Sequence, residues 1–175
     1  MSAKKTSVKG YFSALYAMLA KIKPFITMKQ TPTDQKAYQR KVQRFIKDYD
    51  QASALYHEIA DRLLDRLPLM RFTPEVVLDV GAKDGYATQH LTQHYPEAEV
   101  HAVESDGLWF EQYDAVFNHQ HVHTRMGQFD ALPMADDSVD CIVSNLALSW
   151  SNDFQACLRD WQRVLKPEGL ILFSC

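Results

Sequence analysis

Val76-Val77-Leu78-Asp79-Val80-Gly81-Ala82-Lys83-Asp84-Gly85-Tyr86 is the stretch on which the fold of this 175-residue chain turns. Its first half is a short, nearly unbroken apolar run, the pattern of a strand buried on both faces of a parallel sheet. Gly81 and Gly85 then bracket a turn, and helical periodicity begins beyond them. Glycine at a strand exit lets a ligand approach the backbone closely. In an open α/β sheet, ligands bind beyond the carboxyl ends of the strands, so this turn is the first candidate site. Asp79 at the strand tip can accept hydrogen bonds from a cationic amine, while the turn N–H groups face a carboxylate. An amino-acid moiety offers both groups.

Downstream, the alternation repeats. A helix is predicted from Gly85 to His94, a strand from Val100 to Glu104, a helix from Leu108 to Asn118 and a weaker strand near Val122. Ser138 to Ser144 reads as a fourth strand, Phe154 to Leu165 as a helix and Leu170 to Ser174 as a fifth strand. Regular β-α alternation predicts an α/β fold with a doubly wound, mostly parallel sheet. Upstream, two helices are expected. Asp34 caps a run to Lys47, and Ser53 caps a second from Ala54 to Leu67, with Leu55, Ile59, Leu63 and Leu67 on its inner face. The expected organisation is a basic extension and linker over 1–33, helices capping the site over 34–70, and a ligand-binding α/β domain over 71–175.

Six lysines and no acid fall in the first thirty residues, around the apolar run Tyr11 to Ala20. The run is too short to span a bilayer, which takes about 20 apolar residues. Lys21 and Lys23 follow it directly, where a secretory signal would carry a cleavage site. Val8, Tyr11, Phe12, Leu15, Leu19 and Ile22 recur at helical spacing. They describe either a helix packed on the domain or a basic amphipathic helix for a membrane surface or partner. Pro24 and Pro32 punctuate a linker after it.

A net charge of -3 gives no basic field to draw the chain onto nucleic acid. Cys141, Cys157 and Cys175 are odd in number and scattered, unlike a zinc site or disulfide framework, so a reducing cytoplasm is expected. His119, His121 and His123 alternate as one strand face does, without a ligand cage, and no metal is expected.

Three further strand ends carry chemistry. Glu104, in Val103-Glu104-Ser105-Asp106, follows the glycine turn at near the spacing of about 20 residues typical of a ribose-binding acid. Phe129-Asp130-Ala131-Leu132-Pro133 offers an acid beside apolar groups, suited to the amino group of adenine. Ser144-Asn145-Leu146-Ala147-Leu148-Ser149-Trp150 leaves a buried strand with polar groups and then an aromatic, facing a reacting centre. The pyrophosphate pattern Gly-x-Gly-x-x-Gly is missing, which favours adenosine joined to an amino acid over a dinucleotide and counts against a dehydrogenase.

With these motifs in place, the chain resembles the class I methyltransferases of the type 11 domain, and among them the malonyl-acyl carrier protein O-methyltransferases of biotin synthesis. Tyr49-Asp50-Gln51-Ala52, Glu58 to Leu64, Val77 to Gly85, Ser144 to Leu148, Trp150, Asn152-Asp153 and Arg163 to Ser174 carry the resemblance, over roughly Tyr38 to Cys175. It implies a Rossmann-like methyltransferase fold and S-adenosylmethionine as cofactor, with S-adenosylhomocysteine as product. Asp79, Gly81, Ala82 and Gly85 would then line the methionine part, Glu104 and Ser105 the ribose, Asp130 and Ala131 the adenine, and Asn145 with Leu146 the sulfonium side. Tyr49 and Trp150 would face the substrate, a malonyl group on acyl carrier protein. A carboxylate acceptor is already ionised, so no catalytic base is expected. Two departures stand out. Lys83 replaces a glycine usual in the family's turn, and the family fold continues past its fifth strand, so the sequence is expected to be truncated there. A dimer or second chain completing the sheet is the corresponding partner expectation. The alternative is a catalytically inactive methyltransferase-like binding or assembly protein, or one half of a split enzyme.

Overall fold

The computed structural model describes residues 35–151 and 153–175. The expected N-terminal amphipathic segment, its proline linker, the Asp34 cap and Asn152 lie outside these residues. Five parallel strands form one sheet: β1 (Val76–Val80), β2 (Glu99–Glu104), β3 (Val122–Met126), β4 (Val139–Asn145) and β5 (Leu165–Ser174), in the spatial order β3-β2-β1-β4-β5. A long helix, α1 (Gln35–Leu64), precedes β1 through a 3-10 turn at Leu67–Leu69. Helix α2 (Tyr86–His94) joins β1 to β2, α3 (Leu108–Gln112) and α4 (Asp114–Phe117) join β2 to β3, and α5 (Phe154–Val164) joins β4 to β5.

Strand period explains the layering. Leu78 and Val80 of β1 pack with Val103, Ile142 and Trp161 beneath α5. Val77 turns to the opposite face with Val100, Cys141 and Val143, against Leu91 of α2 and Ala60, Leu63 and Leu64 of α1. Both faces of the sheet are thus covered, as an all-parallel sheet requires. Each fully buried aliphatic side chain contributes about 1.5–3 kcal/mol by leaving water. Helix α5 starts where the Asp153 carboxylate accepts the Ala156 N–H at 2.9 Å, an N-cap that satisfies one of the free donors of the first turn.

The chain runs from β1 outward to β2 and β3, and then returns to place β4 on the other side of β1. The crevice at the carboxyl ends of β1 and β4 is therefore the point where strand order reverses, the usual ligand position in such sheets.

Three local expectations change. The two helices before β1 are one 30-residue helix. Nothing between Asp48 and Ser53 stops a helix, since the segment holds neither glycine nor proline, and a serine caps only where the preceding turn ends. The buried stripe of α1 runs through Val42, Ile46 and Tyr49 and, about three turns on, through Ala60 and Leu63, at spacings of four, three, eleven and three. A strict spacing of four drifts around the helix. Leu55 consequently sits off the stripe and is 65% exposed. The helix expected over Leu108 to Asn118 breaks at Tyr113 (φ −117°, ψ 31°), giving α3 and α4. Finally, β5 begins at Leu165 rather than Leu170, through a register shift opposite Val139 and Cys141.

Among the described residues, no helix is long and apolar enough to cross a membrane.

Candidate functional site

The turn after β1 carries three consecutive excursions into the left-handed region: Gly81 (φ +80°), Lys83 (φ +50°) and Gly85 (φ +77°), matched at the exit of β4 by Leu146 (φ +58°). Gly81 is required sterically as well. A Cβ there would collide with the Ala147 side chain, so the exits of β1 and β4 approach as closely as only glycine permits. Gly85 starts α2 and packs on α4, where a Cβ would stand 2.5 Å from Val116.

Glu104, at the tip of β2, is 2% exposed. Its Oε1 accepts the Lys83 backbone N–H at 2.9 Å and its Oε2 the Ser105 N–H at 3.1 Å. Burial pushes its pKa up to about 7, against the opposing pull of the Lys83 charge and these two N–H groups. Asp79 is equally buried but turns toward α2, where the Thr88 hydroxyl donates to its Oδ2 at 2.7 Å. Burial raises it to about 6.

Lys83 does not point away from this centre. Its side chain is buried at 7% exposure, and Nζ donates to the Asn145 carbonyl at 2.7 Å and the Gly81 carbonyl at 3.4 Å, 5.5 Å from the centre of the Tyr56 ring. Desolvation lowers its pKa. Gly81, Lys83 and Glu104 form the polar floor of a cavity of about 20 Å³ whose apolar walls come from Val42, Phe45, Trp109, Phe129 and Trp150. That is room for about one water.

Helix α1 closes the crevice through polar straps as well as apolar contact. The Tyr49 hydroxyl donates to Asp84 at 3.4 Å, and His57 Nε2 lies 2.6 Å from the other Asp84 oxygen. The His57 ring stacks on Tyr86 with centroids 3.9 Å apart, and the Tyr86 hydroxyl donates to Asp61 at 2.7 Å. Burial, then Asp84, pushes the Tyr49 phenol up. Asn145 joins the straps by donating from Nδ2 to the Tyr56 carbonyl at 2.8 Å, while its Oδ1 accepts from Ser174 Oγ.

Of the residues singled out in the sequence, Gly81, Glu104 and Trp150 line the cavity, and the Asn145 carbonyl reaches it through Lys83. Ser105 supports Glu104. Ala82 packs away from it, against Ala102 and Phe117. Leu146 is held by its N–H to Ser174, and Tyr49 sits in an aromatic cluster with Phe45, Tyr56 and Trp109 above the crevice. Asp130 and Ala131 lie exposed on the surface, although neighbouring Phe129 lines the cavity with its carbonyl held by Trp161 Nε1 at 2.8 Å. Val42, Phe45 and Trp109 fall outside the motifs of the sequence, and in the motif at 129–133 it is apolar Phe129, not the acid, that lines the cavity. The spacing of Phe45, Tyr49 and Tyr56 on one helix face was the available signal for the lid.

A methyltransferase domain family matches residues 78–173. Among curated proteins, the chain is 44% identical over 145 residues to malonyl-[acyl-carrier protein] O-methyltransferase 1 of Coxiella burnetii, covering 83% of this chain and 49% of that protein. It is 38% identical to the malonyl-[acyl-carrier protein] O-methyltransferase of Halorhodospira halophila, covering 81% of this chain and 48% of that one. The chain thus spans about half the length of the curated relatives it matches. Among solved structures, a Haloferax volcanii protein in complex with a methyltransferase activator superposes with a TM-score of 0.66 at 24% identity, covering 75% of this chain and 58% of that one. A SAM-dependent methyltransferase of Aquifex aeolicus gives 0.58 at 21%, covering 69% and 65%. These likenesses concern the fold.

Proposed function

Because this chain belongs to the methyltransferase domain family, we propose that it forms the S-adenosylmethionine site of a methyltransferase acting on the free carboxylate of a malonyl group on acyl carrier protein, a step of biotin synthesis. The observation that carries this reading is the crevice where strand order reverses, with the buried Glu104 carboxylate opposite the Gly81 and Asn145 carbonyls, in a chain similar to enzymes of that name. The donor set fits the cofactor. Glu104 suits the ribose hydroxyls, the two carbonyls suit an ammonium, and Phe129 and Trp109 offer apolar faces to a purine. Seating the cofactor would require α1 and the Lys83 side chain to shift, since the cavity as it stands has room for about one water.

The cofactor, when bound, supplies an electrophilic methyl group. The protein's task is then alignment and exclusion of water. A malonyl carboxylate, with a reference pKa near 4, is ionised at neutral pH and requires no base to activate it. Trp150, which lines the cavity, would face the substrate, while Tyr49 is buried in the aromatic cluster by which α1 covers the crevice.

A second reading is a methyltransferase-like protein that binds a partner without catalysis, or half of a two-chain enzyme. The burial of Lys83 in the crevice favours it. The test is calorimetric titration with S-adenosylmethionine, followed by mass spectrometry of malonyl-acyl carrier protein for a methyl ester. Micromolar binding that Glu104→Ala abolishes, with ester formation, is the expected result. Binding without ester transfers the lead to the second reading, and a folded chain that binds nothing refutes the cofactor site.

A further inference from the structure

We propose that Lys83 is a tethered competitor for the cofactor: its ammonium occupies the seat that the amino-acid ammonium of S-adenosylmethionine would take. The inference rests on the cofactor reading above and adds what this chain's own residue does to it.

Two backbone carbonyls, Gly81 at the exit of β1 and Asn145 at the exit of β4, converge on one donor atom, Lys83 Nζ. The two exits lie side by side, because β1 and β4 pair in parallel and the glycine at 81 leaves no side chain between that turn and Ala147. A pair of carbonyls converging on one point suits a donor with several hydrogens, and an ammonium has three and makes the stronger, charge-assisted bonds. The buried carboxyls of Glu104 and Asp79, when ionised, add a negative field that favours a cation there. Lysine and an amino-acid ligand bring the same group, and one seat cannot hold both.

The backbone directs Lys83 inward. Its N–H is fixed on Glu104 Oε1, and its left-handed φ of +50° sets the side chain beneath Tyr56. A group on the same chain competes at an effective concentration that free ligand must exceed. The consequence is weakened affinity for ligands that carry the amino acid, with little effect on ligands that carry only the nucleoside.

The experiment compares the wild-type chain with Lys83→Gly and Lys83→Met in calorimetric titrations with S-adenosylhomocysteine and with 5′-methylthioadenosine, which lacks the amino-acid part. Glycine suits the positive φ and should fold. Methionine keeps the bulk without the charge. The expected result is a rise in S-adenosylhomocysteine affinity of about tenfold or more in both variants, with 5′-methylthioadenosine changed less than about threefold, as removal of an intramolecular competitor predicts. An equal rise for both ligands, or a rise in the glycine variant alone, assigns the effect to bulk and overturns the proposal. Unchanged S-adenosylhomocysteine binding in both variants overturns it while leaving the cofactor site intact. If all three proteins are folded by circular dichroism and none binds either ligand, the cofactor reading falls and takes the proposal with it.

Discussion

Replacing Gly81 with alanine tests the claim that the crevice depends on two strand exits in backbone contact. The new Cβ would meet the Ala147 Cβ well inside van der Waals distance, at a backbone φ of +80°. The left-handed conformation costs a residue with a side chain about 1–2 kcal/mol. Forcing a methyl into a packed site adds about 1–3 kcal/mol. The sum centres on about 3.5 kcal/mol, which for a chain of this size lowers the melting temperature by about 7–14 °C. Gly107→Ala is the matched control. Gly107 has φ −67° and ψ −16°, and a Cβ there would meet Met126 Sδ at an ordinary 3.6 Å. At a compatible position, such a change stabilises by about 0.4–1 kcal/mol by restricting the unfolded chain. Differential scanning calorimetry of both variants at one pH and protein concentration decides the matter. If Gly81→Ala melts within about 2 °C of wild type, or Gly107→Ala falls as far, the steric argument for the shape of the crevice is wrong.

Three other predictions follow from neighbouring geometry. Asp84→Asn removes the charge that holds His57 and Tyr49, so hydrogen exchange across α1 should accelerate while β1 and β4 keep their protection, a contrast that mass spectrometry reads directly. His101 is buried, with Nδ1 accepting from Arg125 Nε at 2.9 Å, and burial followed by the Arg125 charge lowers its pKa to about 4. A depressed histidine contributes stability above its unfolded pKa, near 6.5, that is lost as pH falls toward 4, so His101→Gln should flatten the melting curve against pH in that window. Arg163 binds Asp160, Asp136 and the Leu132 and Met134 carbonyls, clamping the loop that carries Phe129. Arg163→Ala should cost about 1–3 kcal/mol in denaturant unfolding, through the lost charge-assisted bonds to Asp160 and Asp136 and the Met134 carbonyl that loses its donor, since the Leu132 carbonyl still accepts the Met134 N–H.

The sequence alone determined the β-α alternation, because an apolar run ended by Gly81 and followed by helical period admits little else. It also picked out Gly81 and Glu104, whose chemistry follows from their place at strand exits. The long α1 was hidden: Ser53 looked like a cap, and a residue's capping role depends on whether the turn before it ends. Tertiary structure alone decided which face each strand end presents. Asp79 and Glu104 both sit at strand tips in the sequence, yet Asp79 turns to Thr88 beneath α2 while Glu104 opens to the crevice. The inward course of Lys83 likewise depends on Asn145, far along the chain, whose carbonyl is brought within 2.7 Å only by the pairing of β1 with β4. Local pattern records period and turn chemistry; which groups share a cavity is set by long-range strand pairing, and no local stretch of sequence encodes it.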